Sequence, residues 1–134
     1  VSRAAARGTR RGVSWAAVRK LALAFPGVAE GKSYGMHAFL LDGKFFSRFN
    51  EKEQGLVVHA EAELRDALLE GKPETYFTTD HYRGYPAVLV RLERVSHAEL
   101  AALYDASFRA RAKKKSVAEY DAARTKPRRR KSSR

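Results

Sequence analysis

The stretch YGMHAFLLDGKFFSRF, residues 34–49, decides the fold class. Its two halves, 34–41 and 44–49, are rich in aromatic and aliphatic residues, and Asp42-Gly43 stands between them. Both central residues of a two-residue hairpin turn need positive φ, which Asp-Gly tolerates. The stretch therefore reads as a β-hairpin. Working downstream, 51–54 reads as a second turn and 56–59 as a third strand. Leu64, Ala67 and Leu68 mark a short helix stopped near Gly71, with Pro73 beyond. Residues 76–79 and 87–92 read as strands four and five, joined by His81-Tyr82-Arg83-Gly84-Tyr85-Pro86. Ser96 with Glu99 three residues later is a capping box. It opens a helix whose apolar face is Leu100, Leu103, Tyr104 and Phe108.

Upstream, Ser14 is placed to cap a helix. Its apolar face is Trp15, Val18, Ala22 and Phe25, at spacings of three and four, and Pro26-Gly27 ends it. The order α-β-β-β-α-β-β-α predicts a two-layer α+β sandwich built on a five-stranded antiparallel sheet. One domain is expected over 13–112. Residues 1–12 are expected to be a disordered basic arm and 113–134 a disordered basic tail. Val117 and Tyr120 give too thin a pattern for a helix there.

Of the net charge of +12, residues 1–12 carry four arginines and no acid. Residues 109–134 carry twelve lysines and arginines against Glu119 and Asp121, which leaves 13–108 at −2. The body is slightly acidic and the excess positive charge lies at the two ends. Counterion release follows local charge, so the ends are candidates for phosphate neutralisation. The chain has no cysteine, which excludes disulfides, zinc ribbons and thiol chemistry. Its four histidines, His37, His59, His81 and His97, do not form a metal-ligand spacing. No metal or cofactor is expected. No run of 18 apolar residues is present, so no membrane span is expected. A cytoplasmic monomer, nucleoid-associated if it binds DNA, is the expectation.

No nucleophile, base and orienting group emerge together. GKSYG lacks phosphate-loop spacing, and no serine sits in a nucleophile elbow, so the chain is not read as an enzyme. The candidate contacts are with nucleic acid. Arg83 offers charge and Tyr82 a stacking surface at the tip of the 81–86 turn. Asp80, Gly84 and Pro86 read as turn chemistry, with the Asp80 carboxylate accepting backbone N–H groups. Lys44 and Arg48 are four apart on one strand with Phe46 between them. Strand alternation would put all three on one side, a basic–aromatic–basic row. Lys113, Lys114 and Lys115, with Arg128, Arg129, Arg130 and Lys131, supply phosphate affinity.

Five pieces in this order resemble the MmcQ/YjbR family. They are LALAFPGVAEGKSYG at 21–35, GKFFSRF at 43–49, LVVH at 56–59, TDHYRGYPAVLVRL at 79–92 and ELAALYDASF at 99–108. They span about residues 15–108. The resemblance implies a frataxin-like (CyaY-like) α+β fold and DNA binding through paired β-hairpin wings. Tyr85-Pro86 stands where many relatives have Trp, and His59 where many have Lys. Iron binding of the frataxin type would need an acidic first helix, and residues 15–25 contain no Asp or Glu. Two alternatives stay open beside DNA binding. One is a module that binds a protein or small ligand near the 79–86 turn. The other is an RNA-binding factor.

Overall fold

The structure, a computed structural model, describes the backbone of residues 11–132 and the side chains of 11–124. The chain runs α1 (Trp15–Leu23), β1 (Val28–Ser33), β2 (Met36–Leu41), β3 (Lys44–Asn50), β4 (Gly55–His59), α2 (Ala62–Gly71), β5 (Tyr76–Phe77), β6 (Ala87–Val90), α3 (His97–Arg111) and α4 (Lys114–Ser132). All strand pairs are antiparallel, in the order β1-β2-β3-β4-β6-β5. The α+β class holds, with six strands among the described residues rather than five.

The additional strand is β1. Its sequence, VAEGKS, is polar and carries a glycine, so it lacks an apolar strand signature. It pairs along its whole length with β2, from Val28↔Leu41 to Ser33↔Met36. Tyr34, read above as a strand start, is the first turn residue of this hairpin. It has φ 54°, and Gly35 follows with φ 78°. The next hairpin turns as expected, with Asp42 at φ 50° and Gly43 at φ 84°.

Both cap readings hold. The Ser14 hydroxyl accepts the Ala17 N–H at 3.2 Å. At α3, Ser96 Oγ accepts the Glu99 N–H while the Glu99 carboxylate accepts the Ser96 N–H. The helices bury one face of the sheet. Val18, Ala22 and Phe25 meet Phe39, Leu41, Phe46, Leu56 and Val58 of the strands, and Leu100, Tyr104 and Phe108 of α3. Inside this layer the Tyr104 hydroxyl lies 2.9 Å from Ser47 Oγ, which donates to the Val57 carbonyl. Both polar side chains are thereby satisfied in the core.

Two boundary expectations change. Residues 1–10 lie outside the described residues, but Gly12 and Val13 are held: their N–H groups donate to Val95 and Leu92 carbonyls at 2.8 Å. The tail expected from 113 onward is helical as α4. Tyr120 anchors it, its ring 5.0 Å from Phe25 and 5.2 Å from Phe108. Arg109 fastens the same junction by bonding Asp105 one helical turn back and Asp121 on α4.

Candidate nucleic-acid interface and the opposite groove

The sheet face away from the helices carries its own small apolar cluster of Val57, Tyr82, Ala87 and Leu89, flanked by Phe45 and Phe77. Thr78 to Pro86 is the loop that covers it. Tyr82 folds down from this loop and is only 6% exposed. Its hydroxyl takes a hydrogen bond from Asn50 Nδ2 at 2.8 Å and a long one from Arg48 at 3.4 Å. Tyr82 is thus a packing residue, which corrects its reading as a stacking surface. Turn aromatics and buried aromatics look alike in sequence, and the apolar face beneath decides between them.

The basic row on β3 is also corrected. The β2–β3 register slips between Phe39 and Leu40: Phe39 faces Ser47, while Leu40 faces Phe45. Phe46 is the extra residue of a β-bulge. It and Ser47 both turn toward the helices, and Phe46 is fully buried beside Tyr104, ring centroids 5.2 Å apart. Arg48, opposite Val57, falls on the other face. Lys44 pairs with Leu41 and is exposed at the strand start. Lys44, Phe46 and Arg48 therefore do not form one surface.

Arg83 is largely exposed and pairs with the exposed Asp80 carboxylate at 2.9 Å. The Asp80 side chain holds Arg83 rather than backbone N–H groups. Backbone bonds, Tyr82 N–H to Thr79 O and Tyr85 N–H to Tyr82 O, close the turn instead. Gly84 has the positive φ (89°) expected of it. Tyr85, where many relatives have Trp, is 55% exposed.

Register places several cations at one end of the sheet. β3 begins there with Lys44, antiparallel β4 ends there with His59, and β6 begins opposite His59 with Ala87. The loop carrying Arg83 enters β6 at this end, where Arg65 donates to the Tyr85 carbonyl. Arg111 in the last turn of α3 reaches His59 Nδ1 at 3.0 Å, and His59 Nε2 meets Glu61 at 3.1 Å. Lys113, Lys114 and Lys115 follow directly. They are exposed and make no ion pair among the described residues. Arg124, by contrast, is engaged with Asp105 and the Tyr120 ring. The side chains of Arg128, Arg129, Arg130 and Lys131 lie outside the described residues.

His59 was read only as a departure from the family pattern, and neither Arg111 nor its contact with His59 was foreseen. Their spacing of 52 residues gives no local signal. The His59 side chain is buried, and burial lowers its pKa, with the Arg111 charge acting in the same direction and Glu61 opposing. Among the described residues no three His, Asp or Glu side chains are grouped to hold a metal ion, and no helix is long and apolar enough to cross a membrane.

The opposite end of the sheet carries a groove of about 780 Å³ that the sequence also left unread. It lies where the start of α1 meets the β1–β2 tip, the end of β3 and the segment after β6. Trp15, Met36, His37 and Phe49 line it, with Glu30 and Glu51. Glu30 bonds both Arg19 and His37. Its carboxyl pKa is lowered by the Arg19 hydrogen bond first and the His37 bond next, so it stays ionised.

Among known proteins, a 40-residue segment is 48% identical to uncharacterized proteins of two Mycobacterium tuberculosis strains and of Mycobacterium bovis. That segment covers 30% of this chain and 31% of each relative, so the match spans about a third of the relatives' length. No solved structure matches the chain significantly. The YjbR family profile matches residues 23–110. This range runs from the end of α1 through all six strands nearly to the end of α3, and on that match the chain belongs to the YjbR family.

Proposed function

We propose that this protein is a non-enzymatic DNA-binding protein that grips the duplex with the sheet end carrying Lys44, Arg83 and Lys113 to Lys115. By sequence the rest of α4 is rich in lysine and arginine. The observation that carries the reading is the placement at the start of α4 of three exposed lysines that make no ion pair among the described residues. A helix N-terminus bears partial positive charge and favours acids. The first turn of α4 contains none. Helix stability therefore does not account for Lys113, Lys114 and Lys115, whereas a polyanion partner does. The slightly negative body also concentrates the protein's positive field at its ends.

The test is fluorescence anisotropy of a labelled duplex across a salt series, using the full chain and a variant with Lys113→Gln, Lys114→Gln and Lys115→Gln. Affinity for the full chain should fall by about 10³-fold or more between 50 and 200 mM salt if roughly six phosphates are neutralised. The variant should bind more weakly with a shallower slope, while its melting temperature holds or rises because the helix start loses unfavourable charge. Equal affinity of the two proteins would sink the reading. A parallel titration with RNA of matched length decides the polymer: tighter RNA binding would replace DNA as the partner.

A further inference from the structure

The groove at the far end from the lysines exposes two large apolar side chains, Trp15 and Met36. Four large apolar side chains are exposed among the described residues: Trp15 (39%), Tyr34 (98%), Met36 (47%) and Tyr85. Trp15 and Met36 line the groove, and Tyr34 precedes Gly35 at its mouth. Concentrated exposed apolar surface marks binding, where scattered single residues do not.

The groove wall is fixed by its own contacts. His37 Nε2 lies 2.7 Å from Glu30 Oε1, and Arg19 holds the other Glu30 oxygen. The clamped imidazole meets the Trp15 ring edge-on at 6.0 Å and the Phe39 ring at 5.3 Å. Trp15 also leans on Phe39 at 5.7 Å. The indole is thus held in place with over a third of its surface open. Both charged residues lining the groove are acids. Arg19 answers Glu30, while Glu51 makes no ion pair among the described residues.

From this we infer that the groove is a binding site for a small organic cation, whose flat apolar body lies on Trp15 and whose ammonium or guanidinium head faces Glu51. The cavity falls within the roughly 300–1,000 Å³ common for small-molecule sites. An indole face attracts cations through its quadrupole, and a nearby carboxylate adds to that attraction. The same carboxylates repel phosphate, so this site is separate from the DNA surface and does not depend on it.

Trp15 is the chain's single tryptophan, so intrinsic indole fluorescence reports on this groove alone. The full chain is titrated with benzyltrimethylammonium, and in parallel with benzyl alcohol and benzenesulfonate as neutral and anionic counterparts. A saturable change is expected for the cation, with binding at least about fivefold weaker for both counterparts. Glu51→Gln should weaken cation binding by a similar factor while leaving the emission maximum of the free protein unchanged. A response linear in concentration means collision without a site and overturns the inference. Equal binding of the alcohol or the sulfonate, or no effect of Glu51→Gln, overturns it as well.

Discussion

A single inserted residue on β3 redirects the chemistry of that strand. Strict alternation would align Lys44, Phe46 and Arg48, but the bulge at Phe46 sends the ring into the core and leaves Arg48 on the loop-covered face. There Arg48 and Asn50 meet the buried Tyr82 hydroxyl. Tyr82→Phe should therefore destabilise the fold by about 1 kcal/mol, because Asn50 loses its acceptor at a partly buried place. Tyr85→Phe, at an exposed site, should cost nearly nothing in the same urea unfolding series. Equal costs would show that the loop does not pack as described. His59 gives a pH signature. Its pKa is depressed in the fold, first by burial and then by Arg111. The unfolded chain takes up that proton near pH ~6.5, before the folded chain does. Stability from this group is then full above that pH and declines as pH falls through the folded pKa. Melting temperature should drop between pH 7 and 5, and His59→Gln should flatten the drop. Parallel curves for the two proteins would remove His59 as the cause.

Elements show a different division between local and distant causes. Caps at Ser14 and Ser96 and the Asp42-Gly43 turn are local devices, and each forms where its residues stand. β1 and α4 are harder to read. β1 closes on β2 through the tight Tyr34-Gly35 turn, but its polar residues suit an edge strand and carry no apolar strand signature. α4 lacks a strong apolar stripe, and its seat depends on Tyr120 meeting Phe25 and Phe108. Tyr120→Ala should cost about 1–3 kcal/mol and speed tryptic cleavage near Lys113 to Lys115. Ending the chain after residue 112 should destabilise the body by a comparable amount, whereas ending it after 124 should not. A stable, protease-resistant 11–112 fragment would contradict the docked helix.

At the scale of the whole molecule the two sheet ends differ in character. One carries the exposed Lys113, Lys114 and Lys115 and the entry of α4, the other an aromatic groove lined by two carboxylates. If each of Lys113, Lys114 and Lys115 neutralises one phosphate, replacing all three should reduce the log–log salt slope of duplex binding by about 2.7. An unchanged slope would place the contacts elsewhere. The amino-acid sequence alone determined the α+β class, the hairpin at Asp42-Gly43, the capped helices and the separation of charge, since each follows from local conformational preference or simple composition. Only the tertiary structure decided the sixth strand, the side to which Phe46 turns, the burial of Tyr82, the His59–Arg111 contact and the seat of α4. These rest on an edge to pair with, a register slip, or partners up to 95 residues away, as Tyr120 is from Phe25. The distant contacts form only when the chain closes long loops, and the edge pairing and the register slip are set by backbone hydrogen bonding that the side-chain pattern does not encode.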